Sequence, residues 1–493
     1  MESSPEPVLR VADSRKLTMQ AGLQQARRTP HQKSHSEHHS HGRSVSQDSS
    51  HERLRSGTVA PVSGTGRGVT VVPKPLFRNA CGWLSVALTM ILGLAGTSGA
   101  FADTGGLCQA KSPEPLEVGS ARDLAAALRQ AKCGTTVTLA AGRYDSDIKI
   151  AKDCEATKPL VLSSEEAHSA VLTGKLGLNG RHIVVDGLRV DGGRIELGGE
   201  TNRITRTQFV SGGGLVIRGA SGRIDHNEFD LGAGAGIDVA LKLSRHDRRP
   251  ARDNLIDYNL FHSTSGSGGD VERADEDDDE DHRPSVALYL GQFSARKGRA
   301  DMLAYGMTNT LVENNLFQDV ARHRSIHVKS NGNIIRNNTF IASANVKHGG
   351  QITIRSGQNN EISGNYVSGR IRVVLFEEDN RAIGNVLVDG AQLVVMAGGG
   401  EMTQYDGPQQ RPAMRSFLAG NQGILKIGEA VARRQNKAPA EGTVVEAHQG
   451  PIEKELEADT TVRAETSVSL PEVRPLGPEE VGPQAADPLC PKA

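Results

Sequence analysis

Two short segments place cations where they could act on an anionic ligand. In Ser325-Ile326-His327-Val328-Lys329 the apolar residues alternate with His327 and Lys329, and in Gln351-Ile352-Thr353-Ile354-Arg355 they alternate with Thr353 and Arg355. On a strand with one buried face every second side chain points outward, so His327, Lys329, Thr353 and Arg355 are predicted on the outer face. Tyr289, between Leu288 and Leu290, and Arg372, between Ile371 and Val373, follow the same logic. The expected stripe is therefore Tyr289, His327, Lys329, Arg355 and Arg372. A lysine near its free pKa of about 10.4 is a poor base at neutral pH. Neighbouring cations disfavour its charged form and bring it towards working range. Arginine does not readily give up a proton, so Arg355 is expected to orient a ligand and stabilise charge. Patterning alone also fits a plain solvated ladder of basic residues.

Positioning such a stripe requires a repeat. Short β-branched segments recur, each followed by polar residues and an apolar plug, as in Ile204 to Phe209, Ile224 to Phe229, Ile256 to Phe261, Val312 to Phe317, Ile335 to Phe340 and Ile362 to Val367. The plugs at 188 and 209 are 21 residues apart, and the next intervals include 20, 23 and 27. The larger gaps from 229 to 261 and from 261 to 317 hold insertions. A period in the low twenties with short strands signals a solenoid, and the leucine framework of leucine-rich repeats is missing. The predicted fold is all-β, a single-stranded right-handed parallel β-helix. Asparagines at its bends are expected to accept left-handed backbone and to stack in ladders. Lys329 and Arg355 are 26 residues apart, about one coil, so they should stack on neighbouring rungs. Residues 120–132 read as a short helix with Ser120 as N-cap, capping the open end of the solenoid.

Composition agrees with narrow coils and excludes other classes. Aromatics make up 3% of the 493 residues and there are 56 glycines, without the three-residue period of collagen. The net charge of −1 divides into +6 over residues 1–102 and −7 over the rest, so the body lacks the basic surface a nucleic-acid partner needs. Seven consecutive carboxylates, Asp275 to Asp281, read as a solvated, self-repelling loop.

Residues 1–76 read as a disordered extension, or a stretch upstream of the true start, with too little apolar periodicity to offset the entropy of ordering. Residues 77–102 carry a charged start, an apolar run from Trp83 to Leu94 and an Ala100-Phe101-Ala102 cleavage site, the pattern of an export signal. The mature chain is expected to begin near Asp103 and to be periplasmic or secreted, with no stable membrane partner. Residues 103–433 are assigned to the β-helix, and 434–493 to its β-rich C-terminal end and tail. Four cysteines remain, Cys108, Cys133, Cys154 and Cys490, enough for two disulfides. Cys133–Cys154 is favoured because both flank apolar strands in neighbouring segments.

Two central blocks carry a family resemblance. "VKSNGNIIRNNTF" at 328–340 and "GGQITIRSGQNNEISGNYV" at 349–367 resemble motifs of polysaccharide lyase family six, which groups chondroitinase B with the β-helical alginate lyases. The likeness runs from about 116 to 483 and includes "LAAALRQAKCGTTVTLAAG" at 124–142, "ATKPLVL" at 156–162, "VVDGLRV" at 184–190 and "PLGPEEVGP" at 475–483. The early segments are shared by many β-helices, whereas the central blocks are specific. The resemblance implies β-elimination on a 4-linked uronate polysaccharide, with Lys329 as the Brønsted base and Arg355 on the acid side. Such a reaction neutralises the C5 carboxylate, removes the C5 proton and protonates the departing O4.

Two departures stand out. The family places acidic calcium ligands seven and five residues before this lysine, and here those positions are Arg322 and Arg324. Arginine cannot ligate calcium, so no metal or other cofactor is expected. An arginine there could hold the substrate carboxylate bidentately instead. Strict alternation does not put Arg322 and Arg324 on Lys329's face, so the chain before Ser325 must bend. Ser356 stands where the family has a histidine, with His327 or His323 as stand-ins. The expected substrate-binding set is Arg322, Arg324, His327, Tyr289, Arg372 and Ser356. The expected function is an exported, monomeric lyase on anionic uronate polysaccharide, alginate first. The alternatives are a dermatan sulfate lyase or a non-catalytic β-helix that binds anionic carbohydrate. A glycoside hydrolase would need carboxylates flanking the bond, which the adjacent Glu377, Glu378 and Asp379 do not establish.

Overall fold

The computed structural model describes residues 115–231, 236–240, 251–263, 286–291, 306–320, 324–344, 346, 350–399, 411–430, 437–456 and 458–485. Residues 1–102, where an extension and an export signal are expected, the acidic run, Arg322, His323, Cys108 and Cys490 lie outside the described residues.

Each coil contributes one short strand to each of three parallel sheets. One coil runs through Arg203–Thr205, Gln208–Val210 and Gly214–Ile217 before the next begins at Arg223–Asp225. Among the described residues the sheets have fourteen, ten and twelve strands, and each strand pairs with its equivalents one coil before and after. The result is a right-handed parallel β-helix. One small antiparallel pair, Gly398–Gly399 with Lys437–Ala438, stands apart from the coils. Helix α1 (Ala121–Gln130) begins at Ser120, whose hydroxyl accepts the Asp123 amide at 3.2 Å. Its buried Leu124, Ala127 and Leu128 close the first coils, joining the same core as Val137 and Leu139.

The core is built in columns. Phe209, Phe229, Phe261, Phe317 and Phe340 form one stack, with ring centroids 4.5 to 4.8 Å apart and planes within 10°. That spacing is the inter-strand distance of a sheet, about 4.8 Å, so each plug lies on its predecessor.

The bends divide two jobs that the sequence reading gave to the same asparagines. Asn227, Asn259, Asn315, Asn338, Asn365, Asn385 and Asn421 stack, and from Asn259 on each side-chain oxygen accepts from the asparagine one coil earlier. The left-handed conformation falls on the preceding residue: His226, Tyr258, Asn314, Asn337, Gly364, Gly384 and Gly420, with φ from 54° to 61°. One residue turns the chain, which aims the next side chain along the ladder.

Glycine takes the turning position in the later coils for a second reason. After Arg463 the chain leaves the coils and runs back over this corner. Ser467 N donates to Glu446 at 2.7 Å, Leu476 N to Thr339 Oγ1 at 2.8 Å, and Gly482 N to Tyr258 O at 2.8 Å. A Cβ on Gly384 would come within 2.5 Å of Pro471, and one on Gly420 within 2.3 Å of Leu470. The last coils themselves continue to Thr460–Arg463, which pairs with Thr443–Glu446. At the other end a disulfide joins Cys133 to Cys154, with Cα atoms 5.3 Å apart.

Asn338 is fully inside one ladder, accepting from Asn315 and donating to Asn365, Val312 O and Arg336 O. Replacing it with alanine strands several buried polar groups, each costing about 1–3 kcal/mol. Asn338→Ala is expected to lower the urea midpoint clearly, whereas Lys149→Ala, at an exposed strand position, should leave it nearly unmoved.

Candidate active site on the twelve-stranded sheet

Ile326, Val328, Ile352, Ile354, Val373 and Leu375 all lie in the core, so the residues between them point away from it. Val328 pairs with Ile354, which puts Lys329 and Arg355 at the same position of successive coils, about 4.8 Å apart. Following the register both ways, this column reads Arg218, Ala240, Gly291, Lys329, Arg355, Phe376 and Met396. Two residues earlier along each strand runs a second column: Asp238, Tyr289, His327, Thr353, Val374 and Val394.

Four of the expected residues come together. The Tyr289 and His327 rings stack with centroids 4.8 Å apart, and the Lys329 ammonium lies 5.7 Å from the Tyr289 ring centre. Arg355 follows Lys329 one coil on. The outward face differs from the solvated stripe expected from sequence. His327, Lys329, Thr353 and Arg355 are between 1% and 7% exposed, so outward here means buried.

Arg324 joins this group through a β-bulge. The register shifts between Arg324 and Ile326, so Arg324 pairs with outward-facing Gln351 rather than following strict alternation. This is the bend the sequence required. It brings Arg324 Nη1 to 2.6 Å from His327 Nδ1. A guanidinium has donors only, so Nδ1 must accept and the imidazole is neutral with its proton on Nε2.

Other expected members do not join. Arg372 starts its strand in register with Gln351, four residues short of the Arg355 position or about 13 Å along the sheet. Its guanidinium is committed to Glu429. Ser356 follows Arg355 at the corner and is half-buried. Arg322 lies outside the described residues. Sequence reasoning missed the apolar cluster of Val374, Phe376, Val394 and Met396, which continues both columns beyond Arg355. Its signal was present in the "RVVLFE" run, where Val374 and Phe376 fall at outward positions.

The donor set does not suit calcium, which takes about six to eight oxygen ligands. Arg324, His327, Lys329 and Arg355 bring nitrogen donors. The carboxylate in this register, Asp238, stands beyond Tyr289, two coils from His327. Among the described residues no three His, Cys, Asp or Glu side chains gather into a metal-binding group.

The three adjacent acids are also accounted for. Glu378 binds Arg411 and Arg415, and Asp379 binds Arg415 at 2.8 Å. Glu377 is buried, and burial pushes its carboxyl up to about 7. They do not form a pair flanking a glycosidic bond.

Comparison with known proteins bears on the fold. The chain is similar to a family-six polysaccharide lyase from Pseudopedobacter saltans, at 17% identity and a TM-score of 0.55, over 76% of this chain and 100% of that one. It is similar to the family-six alginate lyase AlyGC, at 19% identity and a TM-score of 0.53, over 71% of this chain but 51% of that one. The chain thus spans about half the length of AlyGC. A third likeness is to the alginate lyase AlyF-OU02 solved with G6, at 16% identity and a TM-score of 0.53, over 74% and 87% of the two chains. These neighbours come from the family whose motifs the central blocks resemble, and at such identities they establish the β-helix. No family model and no curated protein matches the chain.

Glu377 gives a pH signature. Its folded pKa of about 7 lies above the ordinary 4.5, so its contribution to stability is present below pH 4.5 and is lost as pH rises through 7. The loss amounts to about 3 kcal/mol. Glu377→Gln is expected to flatten the fall in urea midpoint between pH 4.5 and 7, and an unchanged profile would contradict this account.

Proposed function

We propose that the protein is an exported polysaccharide lyase that cleaves 4-linked uronate polysaccharide, alginate first, by β-elimination without calcium. The observation that carries this reading is the pair Lys329 and Arg355, at one position of successive coils, inside the two blocks that resemble family-six motifs. The family-six neighbours support the same class, and two of those compared are alginate lyases.

In this reading Lys329 takes the C5 proton as general base. Arg324 faces the C5 carboxylate, supplying the positive charge that stabilises the enolate-like state as the proton leaves. Its bond to Nδ1 leaves His327 with a proton on Nε2 to offer a sugar oxygen. Arg355 keeps its own proton and orients the water that protonates O4, and the hydroxide left behind takes back the proton that Lys329 removed from C5. The apolar cluster of Phe376 and Met396 offers a surface for the sugar ring's C–H face. Ser356, where the family has histidine, supports a second reading as a non-cleaving β-helix that binds anionic carbohydrate; dermatan sulfate is the runner-up substrate.

The deciding assay incubates the exported protein with alginate and with dermatan sulfate and follows ultraviolet absorbance of the unsaturated product. Alginate should give product, Lys329→Ala should give none, and a chelator should leave the rate unchanged. Arg324→Ala is expected to cost about 100-fold, the scale for losing one preorganised donor, with Arg324→Lys recovering part of it. If a chelator silences the wild type and calcium restores it, the arginine-for-metal reading is wrong. Binding without product would favour the second reading. N-terminal sequencing of the exported form should begin near Asp103, and an intact residue 1–102 segment would overturn the export assignment.

A further inference from the structure

The corner that carries Lys329 also forms a polar concavity in the early coils. There the backbone bridges of Asp153, Arg181, Glu200, Ala220 and Arg252 follow one another on successive coils. Beside them lies a glycine floor. A Cβ on Gly199 would meet Gly180 O at 1.9 Å, and one on Gly219 would meet Gly199 O at 1.7 Å, so close stacking of these turns excludes side chains. The hollow encloses about 280 Å³ and is lined by the glycines with Asn179, Arg181, Glu200, Arg218 and Arg252.

Arg218 is the informative residue. It stands in the Lys329–Arg355 column, three inter-strand steps or about 14 Å from Lys329. Its neighbours in that column are Gly198 and Ala240, neither with a side chain that competes for the space. It is half-buried, yet its guanidinium makes no ion pair or hydrogen bond with a described residue. The other two arginines are paired with acids at the rim, Arg181 with Glu200 at 3.2 Å and Arg252 with Asp253 at 3.7 Å and Glu200 at 4.0 Å. A fork of donors over a side-chain-free floor fits a carboxylate bidentately. The rim acids Asp153 and Glu200 accept hydroxyl protons and oppose more highly charged anions such as phosphate. That combination suits a hydroxyl-rich monocarboxylate, a class to which uronate sugars belong.

We propose that this hollow is an accessory uronate-binding site, separate from the bond-breaking centre, in which Arg218 holds the carboxylate and Arg181 and Arg252 form the cationic rim. It rests on the uronate reading above only for the choice of polymer. The Lys329–Arg355 centre and the guanidinium of Arg218 would then engage one long chain, or two chains, at separate points.

The test measures binding of polyuronate to the full-length Lys329→Ala protein, which leaves the polymer intact, with and without Arg218→Ala. Losing one bidentate charge-assisted contact should weaken binding about tenfold at low salt. Arg218→Lys should fall between, and binding of a neutral glucan should not change. Because Arg218 has no ion pair to lose, the melting temperature should stay put, and the lysine variant keeps the comparison interpretable if alanine does not fold. Equal polyuronate binding with and without Arg218, or an equal loss on neutral glucan, overturns the site. A tenfold loss in a protein whose wild type yields no unsaturated product would retain the site and reject the lyase reading instead.

Discussion

Parallel strands stack at about 4.8 Å, and in a β-helix every coil lies in register on the one before it. Each residue therefore meets, above and below, the residues at its own position in neighbouring coils. The sequence has to be tolerable in columns as well as along the chain. Phenylalanine on phenylalanine satisfies this by ring stacking, and asparagine on asparagine by passing one hydrogen bond to the next coil. Glycine on glycine satisfies it by having nothing to collide.

Charge is the hard case, because columns place like on like. The fourteen-stranded sheet solves it diagonally. Arg203 lies in register with Arg223, and Asp225 with Asp257. Each arginine reaches one coil forward, Arg203 to Asp225 at 2.7 Å and Arg223 to Asp257 at 2.8 Å. Thr205 and His226 also bind Asp225, each at 2.9 Å. Burial opposes the charge on Asp225, yet the Arg203 guanidinium holds its carboxyl far below the usual range. Such a network is fully partnered and structural. The Lys329–Arg355 column puts two cations in direct succession, with a third, Arg324, turned to the same face by a bulge. Three basic side chains thus gather on one face, where the fourteen-stranded sheet interleaves arginine with aspartate.

The returning C-terminal segment shows how one constraint propagates. It lies over the asparagine-ladder corner, and its Leu470 and Pro471 occupy the space that side chains at positions 420 and 384 would take. The same segment also passes Tyr258, whose carbonyl accepts from Gly482 N, and there a side chain at the turn is accommodated. Where Leu470 and Pro471 press directly on the turn a Cβ would collide, and glycine, which takes positive φ without strain, fills the position.

Much of this was legible in the chain. Periodic plugs fixed the coil length, alternation fixed which residues face the core, and the 26-residue step from Lys329 to Arg355 fixed their succession. These are local properties: a two-residue period and a repeat length follow from backbone geometry whatever the partner. The cap at Ser120 was readable for the same reason. What only the tertiary structure decided involves partners on other coils. The bulge that turns Arg324 to His327 depends on Gln351 in the next coil, and the capture of Arg372 depends on Glu429, 57 residues away. The burial of an outward face and the emptiness around Arg218 likewise depend on what neighbouring coils place beside it. Sequence alternation says which way a side chain points, but only the stacked coils say what it meets there.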